Sequence, residues 1–578
     1  MSLRNLTTVW GEKITDKPLQ EYPRPQLKRN SYLNLNGLWD YAIRGTDETP
    51  SSYDGKILVP FSPESDLSGV NRQLKPNEYL FYRTFFTLNK GFVKDIVLLN
   101  FGAVDSICDI FVNGQHLCHH EGGYNAFSVD ITPALQLQDN ELVVKVRDLT
   151  DTSYYTAGKQ STHRGGMWYT PQSGIWQTVW LESVPAQYIR GIRVTPNIDN
   201  ATVTVEADCN FDGPFTVIVT DGGEEVVKTD GVGAVTLRFP DGSFTPWSPE
   251  NPHLYGLKII SRRDQVESYF GMRKFSVETV DGFKRLMLNN KPYFHNGLLD
   301  QGYYSDGLYT PPSDEAMVYD IATMKDLGFN MLRKHIKVEP ARWYYHCDRL
   351  GMLVWQDMPS GGSRQNKFTT LYLPFVGKDN IKDNQYGKFS RSDEAGRVMF
   401  QRELTEMMRQ LYNCVSIATW VIFNEGWGQF DANKMTDYAR TLDNTRVIDQ
   451  ASGWHDQGGG DIKSLHVYFK KVKLPRDNNR AVCLTEFGGY SFKDEAHSFN
   501  PDKTYSYKVF NTLDEFNEGV QQLYERDVIA QIRKGLSAAV YTQVSDVEDE
   551  VNGLLTYDRR VLKIDADMMR KINEKVKL

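Results

Sequence analysis

The sequence predicts a protein of several domains, in which two β-sandwiches precede a C-terminal (β/α)8 barrel. Three observations lead to this prediction. The chain has 578 residues, too many for a single hydrophobic core. Its first half consists of short alternating strand patterns separated by turn residues. Its second half alternates strand-like runs with helical stretches, as parallel-sheet proteins do.

Residues 1–185 are predicted to form a jelly-roll β-sandwich. Strand patterns occur at 95–101, 106–112, 115–119 and 141–146, and Asn-Gly, Gly-Gly and Pro separate them. A second, smaller set of strands occupies 186–276, with patterns at 201–207, 215–219 and 234–239. The length and spacing of this second set predict an immunoglobulin-like sandwich.

Residues 277–578 are predicted to form the (β/α)8 barrel. The eight predicted strands are 293–299, 330–333, 353–356, 417–424, 447–450, 464–468, 482–485 and 538–543. Several of them are apolar nearly throughout, which is typical of strands buried on both faces of a parallel sheet. Helical stretches at 313–327 and 340–350 separate the first three strands.

Two glutamates carry the main functional prediction. Glu425 ends the fourth predicted strand and Glu486 ends the seventh, so both should lie on the C-terminal face, where barrels of this kind hold their active sites. Burying an unpaired carboxylate is costly, so two of them at strand ends indicate a function. Paired carboxylates cleave glycosidic bonds, and a retaining mechanism needs them about 5–5.5 Å apart.

The composition excludes several other classes of function. The net charge is −8 with scattered Lys and Arg, which argues against a nucleic-acid partner. No run of 18 apolar residues indicates a membrane span. The six cysteines show no metal-ligand spacing and are interpreted as reduced thiols, with Cys108 and Cys118 on opposite faces of a hairpin. We expect no metal and no cofactor, and, without a signal-peptide pattern, a cytoplasmic location.

The two glutamate strands resemble those of glycoside hydrolase family 2, which includes β-galactosidases, β-glucuronidases and β-mannosidases. The resemblance rests on Asn424-Glu425 after the apolar run at 417–423, and on the Thr-Glu-Phe-Gly-Gly at 485–489. It extends to Pro-Arg-Pro-Gln at 23–26, Gly-Ile-Trp-Gln at 174–177 and Trp-Ser-Pro-Glu-Asn-Pro at 247–252. It implies a retaining exo-β-glycosidase, with a β-galactosidase-like specificity expected from the family's commonest members.

The resemblance also implies roles for individual residues. Glu425 resembles the general acid/base and Glu486 the nucleophile of the family. Asn424 resembles the residue that binds the sugar 2-hydroxyl. Arg333 resembles the arginine that keeps the nucleophile ionised, and Tyr468 resembles the tyrosine beside the nucleophile.

Further residues are expected at the sugar pocket because they lie near predicted strand ends. They are Trp427, Gln356, Trp454 and Tyr541, the last in place of a tryptophan platform. His335 is displaced by one position from the family's Arg-x-x-His pattern, which on a strand means the opposite face. Trp168 stands where several family members have an aspartate, which should alter hydroxyl recognition.

Other interpretations remain open. The stretch at 552–554 lacks the lysine of the Asn-x-Lys motif that binds glucuronate in β-glucuronidases, which disfavours a glucuronide. A β-hexuronidase acting on a galacturonide or a glucuronide stays the alternative to an enzyme for a neutral hexose. Lys334, Lys337, Arg559 and Arg560 could still bind a uronic acid, although ion pairs or surface positions are expected for them. A carbohydrate-binding protein without turnover is a third reading. The expected partner is a carbohydrate, not a nucleic acid or a membrane, and a homo-oligomer is left open.

Overall fold

The computed structural model describes residues 3–363 and 365–578 and begins with a β-sandwich of two antiparallel sheets. In spatial order the four-stranded sheet consists of Leu33–Asn34, Val179–Val184, Ile96–Phe101 and Phe127–Asp130. The six-stranded sheet consists of Gly55–Val59, Gly37–Arg44, Tyr79–Phe86, Asn140–Arg147, Ile107–Val112 and Gln115–Glu121. A small ladder joins Val104–Asp105 to Gly174–Ile175. Inward side chains of the two large sheets form one apolar core.

The hairpin that spans residues 107–121 corrects one prediction. A register shift beyond Ile110 pairs Ile110 with Cys118, and Cys108 with His120. One extra residue in the second strand moves the side chains that follow it to the other face of the strand. Cys108 and Cys118 therefore both pack on the sandwich core, not on opposite faces. The expectation of free thiols is confirmed for all six cysteines.

The second region is a smaller sandwich with its own apolar core. Its three-stranded sheet consists of Ile189–Asn197, Thr202–Cys209 and Ala234–Arg238, and its four-stranded sheet of Glu224–Gly231, Phe215–Asp221, Tyr255–Ser261 and Gln265–Phe270. The antiparallel strands Phe275–Val280, Phe283–Leu288 and Lys291–Pro292 follow and contact the barrel. The strand Phe275–Val280 crosses the predicted domain boundary between residues 276 and 277. The domain boundaries at 185 and 276 stay predictions.

The third region is an eight-stranded parallel barrel. Its strands are β1 His295–Asp300, β2 Met331–Lys334, β3 Leu353–Asp357, β4 Ile417–Asn424, β5 Val447–Ser452, β6 Ile462–Val467, β7 Ala481–Gly488 and β8 Leu536–Thr542. All eight predicted strands are present, with ends shifted by no more than three residues. The hydrogen-bonded order is β5-β4-β3-β2-β1-β8-β7-β6, so the ladder is continuous except between β5 and β6. At that seam Ser452 Oγ lies 3.0 Å from His466 Nε2.

Helices lie between and after the barrel strands. They are α1 Asp314–Asp326, α2 Ala341–Leu350, α3 Leu373–Phe375, α4 Glu394–Leu411, α5 Ala432–Leu442, α6 Leu513–Tyr524, α7 Ala530–Ile532 and α8 Ala566–Asn573. Local side chains fix where several of them begin, as when Ser313 accepts a hydrogen bond from the first turn of α1. Thr512 and Glu515 form a capping box at α6. None of the helices in the described ranges combines the length and the hydrophobicity that a membrane span requires.

A long loop of the first sandwich, residues 148–173, lies on the mouth of the barrel. The backbone N–H groups of Ala157 and Gly158 donate to the carbonyl of Ser360, at 2.9 and 3.0 Å. Farther along the loop, the hydroxyl of Tyr169 donates to the carboxylate of Glu550. The loop therefore forms one side of the pocket above the C-terminal ends of the barrel strands.

Candidate active site

The C-terminal ends of five barrel strands bring a cluster of charged side chains together. The cluster consists of Arg333 from β2, Asp357 from β3, Glu425 after β4, His466 from β6 and Glu486 from β7. Parallel strands all end on one face of a barrel, so residues far apart in sequence meet there. This geometry is the reason why Glu425 and Glu486 lie in one site.

The two glutamates are close and share a histidine. Glu425, His466 and Glu486 each present an oxygen or nitrogen atom, and these three atoms lie within 4.8 Å of one another. His466 Nδ1 is 2.9 Å from Glu425 Oε1, and its Nε2 is 3.5 Å from Glu486 Oε1. The side chain of Glu425 is 18% exposed, whereas that of Glu486 is 6% exposed. One carboxylate is therefore open to the pocket and the other is enclosed.

The backbone at Glu425 is held in an unusual conformation. Its φ is +51°, in the left-handed region that side chains other than glycine rarely adopt. Gly426 and Gly428 follow with φ of +71° and +66°. A Cβ at Gly428 would lie 1.9 Å from the carbonyl oxygen of Gly361, so only glycine fits that close approach. The turn after β4 is thus packed against the loop after β3.

Positive charge surrounds Glu486. Burial would raise the pKa of its carboxyl, but the charges of His466 and Arg333, with further help from His335, hold that pKa well below its usual range. Arg333 Nη1 lies 3.2 Å from Glu486 Oε1, and the hydroxyl of Tyr468 donates to the other oxygen. Glu486 is therefore held as an anion with a fixed orientation.

Arg333 also organises the neighbouring strands. Its Nε and Nη2 donate to the two oxygens of Asp357, at 2.9 and 3.0 Å, in a two-point contact that suits a guanidinium. Nη2 also donates to Asn424 Oδ1 at 2.9 Å. This contact uses the amide oxygen of Asn424 and leaves its NH₂ group as the remaining donor. Asn424 is thus oriented beside Glu425.

His335 lies two residues after Arg333, a spacing that puts two side chains on the same face of a strand, and it stays on that face although β2 ends at Lys334. Whether it contacts a sugar stays a prediction. His335 Nδ1 lies 2.8 Å from Asp357 Oδ2, on the carboxylate that also binds Arg333. Its ring therefore belongs to the same cluster as Arg333. Burial is the main reason why the pKa of His335 is lowered.

Two other residues lie away from the pocket, contrary to expectation. Gln356 is fully buried, accepts a hydrogen bond from the hydroxyl of Tyr344 and donates to two backbone carbonyls. Tyr541 packs edge-on against Phe487 and close to Tyr524, a residue of α6, on the outer side of the barrel. The side chain that follows Tyr541, Thr542, points inward, and its Oγ1 lies 3.1 Å from the hydroxyl of Tyr468.

Tryptophans form one wall beside the cluster. Trp168, from the sandwich loop, meets Trp427 edge to face with ring centroids 4.7 Å apart. Trp454 lies with its ring 5.3 Å from that of His466 and donates to the carbonyl of Thr370. The three tryptophans thus lie close to the cluster, and their contact with a sugar stays a prediction. The ring of Tyr468 stacks on that of Tyr507 with centroids 3.7 Å apart.

The cations considered for uronate binding are already paired. Lys334 contacts Asp300 at 2.7 Å and Glu339 at 2.8 Å, and Lys337 contacts the same Glu339 at 2.8 Å. Arg559 binds Asp320, and the partly exposed Arg560 binds Glu12. The expectation that these four cations are ion-pair partners is confirmed.

A cation that the sequence analysis missed lies closer to the pocket. Lys159, in the sandwich loop, is 9% exposed, and its ammonium lies 5.8 Å from the ring centroid of Trp168. Burial lowers the pKa of His335, and the positive charge of Lys159 adds to that effect. Burial raises the pKa of the Glu550 carboxyl, and the charge of Lys159 opposes that rise. Across the described residues it forms no ion pair, and Met167 Sδ at 3.8 Å is its hydrogen-bonding contact.

Two other members of the cluster were missed although a signal existed. His466 precedes Tyr468 by two residues on β6, so strand alternation puts both side chains on one face. Asp357 ends β3 next to the end of β2, where a partner for Arg333 was to be expected.

Glu425, His466 and Glu486 also have the residue types and spacing of a metal site. The expectation of no metal stays a prediction.

Comparisons with known proteins agree with this architecture. Three sequence models match in order: "Glycosyl hydrolases family 2, sugar binding domain" at 67–185, "Glycosyl hydrolases family 2" at 187–273 and "Glycosyl hydrolases family 2, TIM barrel domain" at 280–481. A beta-galactosidase of Streptococcus thermophilus is 25% identical over 480 residues, which are 77% of this chain and 42% of that protein. The chain spans less than half the length of such curated relatives, 49% in one case and 34% in another.

Solved structures show the same fold along nearly the whole chain. A beta-glucuronidase of an uncultured Clostridium has a TM-score of 0.75 at 16% identity, covering 97% of this chain and 100% of that one. A beta-galacturonidase of Eisenbergiella tayi, bound to galacturonate, has a TM-score of 0.72 at 18% identity, covering 96% and 99%. With the three family models matching in sequence order and the fold matching throughout, the chain belongs to glycoside hydrolase family 2.

Proposed function

We propose that the protein is a retaining exo-β-glycosidase that removes terminal β-linked sugars by double displacement. The observation that carries the proposal is the separation of the two carboxylates, whose nearest oxygens lie within 4.8 Å. Retaining enzymes hold their carboxyl groups about 5–5.5 Å apart, whereas inverting enzymes need about 6.5–9.5 Å to admit a water molecule. The short separation supports direct attack on the sugar.

In the first step, Glu486 would attack the anomeric carbon while Glu425 protonates the departing oxygen. Glu486 suits the role of nucleophile because Arg333 and His466 stabilise its anionic form. Glu425 suits the role of acid because its side chain is more open to the pocket. The bond between the sugar and the leaving group breaks as the bond to Glu486 forms.

In the second step, Glu425 would take a proton from a water molecule that attacks the glycosyl-enzyme and releases Glu486. Asn424 would bind the sugar 2-hydroxyl with its NH₂ group, because Arg333 already occupies its oxygen. That contact strengthens as positive charge develops on the sugar ring, so it lowers the barrier rather than only binding the substrate.

The leading substrate is a β-linked neutral hexose such as β-galactose. A β-hexuronide is the second candidate, and one observation favours it. The ammonium of Lys159 is nearly buried beside the pocket and forms no ion pair with any described residue. A desolvated cation is stabilised by an anion, and a uronic acid carboxylate would supply one.

A hydrolysis screen tests the proposed activity. Purified protein is assayed with 4-nitrophenyl β-galactoside, β-glucoside, β-mannoside, β-glucuronide, β-galacturonide and α-arabinoside, with Glu425→Gln and Glu486→Gln as controls. We expect turnover of one sugar and a loss of at least about 10⁴-fold in the Glu486 variant. Failure on all six sugars with retained glycan binding would support the non-catalytic reading.

Lys159 separates the two candidate substrates. If the substrate is a uronide, Lys159→Met should lower kcat/KM by about a hundredfold, because the sugar carboxylate then lacks its counter-charge. If it is a neutral hexose, the loss should stay within about tenfold. Lys90→Met, at an exposed position of the same sandwich, is the matched control.

A further inference from the structure

A buried arginine lies behind the turn that carries Glu425. Arg391, just before α4, is 1% exposed, and among the described residues its guanidinium donates hydrogen bonds to backbone carbonyls only. Nε lies 3.0 Å from the oxygen of Gly428, and Nη1 lies 3.2 Å from the oxygens of both Tyr154 and Gly396. One side chain therefore joins the turn after β4, the loop of the first sandwich and the first turn of α4.

This arrangement is a poor means of stabilising the fold. Nη2 of Arg391 is buried and has no hydrogen-bond partner within residues 3–363 and 365–578. Burial lowers the pKa of Arg391 to about 10, and the negative charge of Glu403 opposes this shift without cancelling it. A desolvated cation that no carboxylate contacts destabilises the folded protein. The position of Arg391 is therefore better explained by what it holds than by a gain in stability.

Aromatic residues around the guanidinium fix its place. The Cζ atom of Arg391 lies 5.0 Å from the ring centroid of Phe400 and 5.7 Å from that of Phe430. Phe400 belongs to α4, and its ring stacks on that of Phe423 in β4, with centroids 5.1 Å apart. Close packing on regular elements leaves Arg391 few alternative rotamers, so the Gly428 carbonyl meets a donor that is fixed in space.

The turn that Arg391 binds needs such support. Glu425 follows the last residue of β4, and its φ of +51° is a conformation that persists only where the surrounding structure imposes it. Its backbone N–H donates to the carbonyl of Ser452 at 2.9 Å, which holds the start of the turn. The carbonyl of Gly428, three residues farther on, is held by Arg391. The direction of the Glu425 carboxylate therefore depends on contacts at both ends of the turn.

We propose that Arg391 is a positioning residue for the general acid/base, which sets the direction of the Glu425 carboxylate by holding the Gly428 carbonyl. The inference rests on the proposed glycosidase activity and adds a residue to it. Because Arg391 also holds the Tyr154 carbonyl, the first sandwich takes part in placing the acid. A displaced acid impairs protonation of the leaving group and leaves the attack by Glu486 intact.

The test uses two β-glycosides of the sugar that the hydrolysis screen identifies. Phenolate is a basic leaving group that must be protonated as it departs, whereas 2,4-dinitrophenolate departs without a proton. The ratio of kcat/KM for the phenyl glycoside to kcat/KM for the dinitrophenyl glycoside therefore measures the contribution of the acid. In Arg391→Met this ratio should fall at least about tenfold, while kcat/KM for the dinitrophenyl glycoside stays within about threefold of the wild type.

Arg446→Met is the matched control. Arg446 is also buried, and it also donates to three backbone carbonyls at the N-terminal end of β4, those of Tyr412, Cys414 and Ile417. Its loss should lower the melting temperature and leave the ratio unchanged, because it lies at the end of the barrel opposite the site. A general loss of stability is thereby separated from a displaced acid.

Arg391→Lys keeps one donor for the Gly428 carbonyl, so its ratio should lie between those of Arg391→Met and the wild type. It also serves as the test if the methionine variant does not fold. Azide provides a second measurement, because it attacks the anomeric carbon of the glycosyl-enzyme without having to lose a proton, forms the glycosyl azide and releases Glu486. Added azide should speed turnover of the dinitrophenyl glycoside at least about threefold in Arg391→Met and not in the wild type.

An unchanged ratio in folded Arg391→Met and Arg391→Lys would overturn the positioning role and leave the glycosidase proposal intact. An equal fall of the ratio in Arg446→Met, or a failure of both Arg391 variants to fold, would reduce Arg391 to a structural residue and overturn the inference as well. If the wild-type protein cleaves no glycoside of any sugar in the screen, the proposed function itself fails.

Discussion

Glu486, at the barrel mouth, and Glu403, at the interface between barrel and sandwich, are buried to nearly the same extent, with 4% and 2% of the whole residue exposed. Their surroundings differ. Glu486 has Arg333 and His466 beside it, and its pKa is held well below the usual range. Glu403, on α4, accepts hydrogen bonds at 2.9 Å from the hydroxyl of Thr156, and burial raises its pKa to about 7.

The comparison shows that partners, not burial alone, decide the charge of an enclosed carboxylate. Desolvation disfavours the anion in both places, but only at Glu486 do fixed cations outweigh it. The pH dependences are therefore opposite in sign. The contribution of Glu486 to stability is lost as pH falls through its lowered pKa, whereas that of Glu403 is lost as pH rises through about 7.

The largest expected effect comes from removing the main fixed cation at the barrel mouth. Arg333→Met should lower kcat/KM by about 10³-fold or more, because Glu486 loses one of the charges that keep it ionised and Asp357 keeps only His335 as a charged partner. With the pKa of Glu486 raised, the acid limb of the pH–rate profile should move to higher pH. Both effects are measured from kcat/KM between pH 4 and 8.

Arg333→Lys is the matched variant. It keeps the charge but not the two-point contact with Asp357, so its activity should fall less and its acid limb should stay nearer that of the wild type. Equal pH profiles in Arg333→Met and the wild type would mean that Arg333 does not set the charge state of Glu486. Circular dichroism and the melting temperature establish that each variant is folded.

A smaller effect is expected at the histidine between the two glutamates. His466→Gln retains a hydrogen-bonding group near Glu425 but cannot carry a positive charge. We expect a loss of about tenfold to hundredfold in kcat/KM and an acid limb displaced to higher pH. A loss of activity with no change in the pH profile would assign His466 a merely structural role.

Glu403→Gln tests the comparison between Glu486 and Glu403 by its effect on stability, not on activity. A neutral amide needs no proton, so the variant should escape the destabilisation that the wild type undergoes between about pH 5 and pH 8. The melting temperature of the variant relative to the wild type should rise by a few degrees over that interval. Glu394→Gln, at an exposed position of the same helix, should show no such trend.

The smallest effect is expected from the hydroxyl that binds Glu403. Thr156→Val should destabilise the protein by about 1–3 kcal/mol, because the buried carboxyl loses its hydrogen-bond partner. The loss should be larger at pH 8 than at pH 5, since the hydroxyl stabilises the anion. Denaturant unfolding at the two pH values measures it, and a loss that is equal at both would contradict a role for Thr156 in stabilising the anion.

Much of the architecture could be predicted because it depends on local pattern. The eight barrel strands follow from apolar, β-branched runs, and strand ends on one face of a barrel bring Glu425 and Glu486 together. The prediction failed where local geometry departs from regular alternation, because a register shift turned Cys118 to the face of Cys108.

The sequence by itself determined the order of the domains, the barrel and the candidate catalytic pair, because periodicity and a charged residue at a strand end are local signals. Only the tertiary structure decided which cations are already paired. It also decided that Lys159 has no ion-pair partner within residues 3–363 and 365–578, and that a cavity lies between two domains near the turn after β4. Ion pairs and cavities arise between residues hundreds of positions apart. No spacing along one chain encodes them.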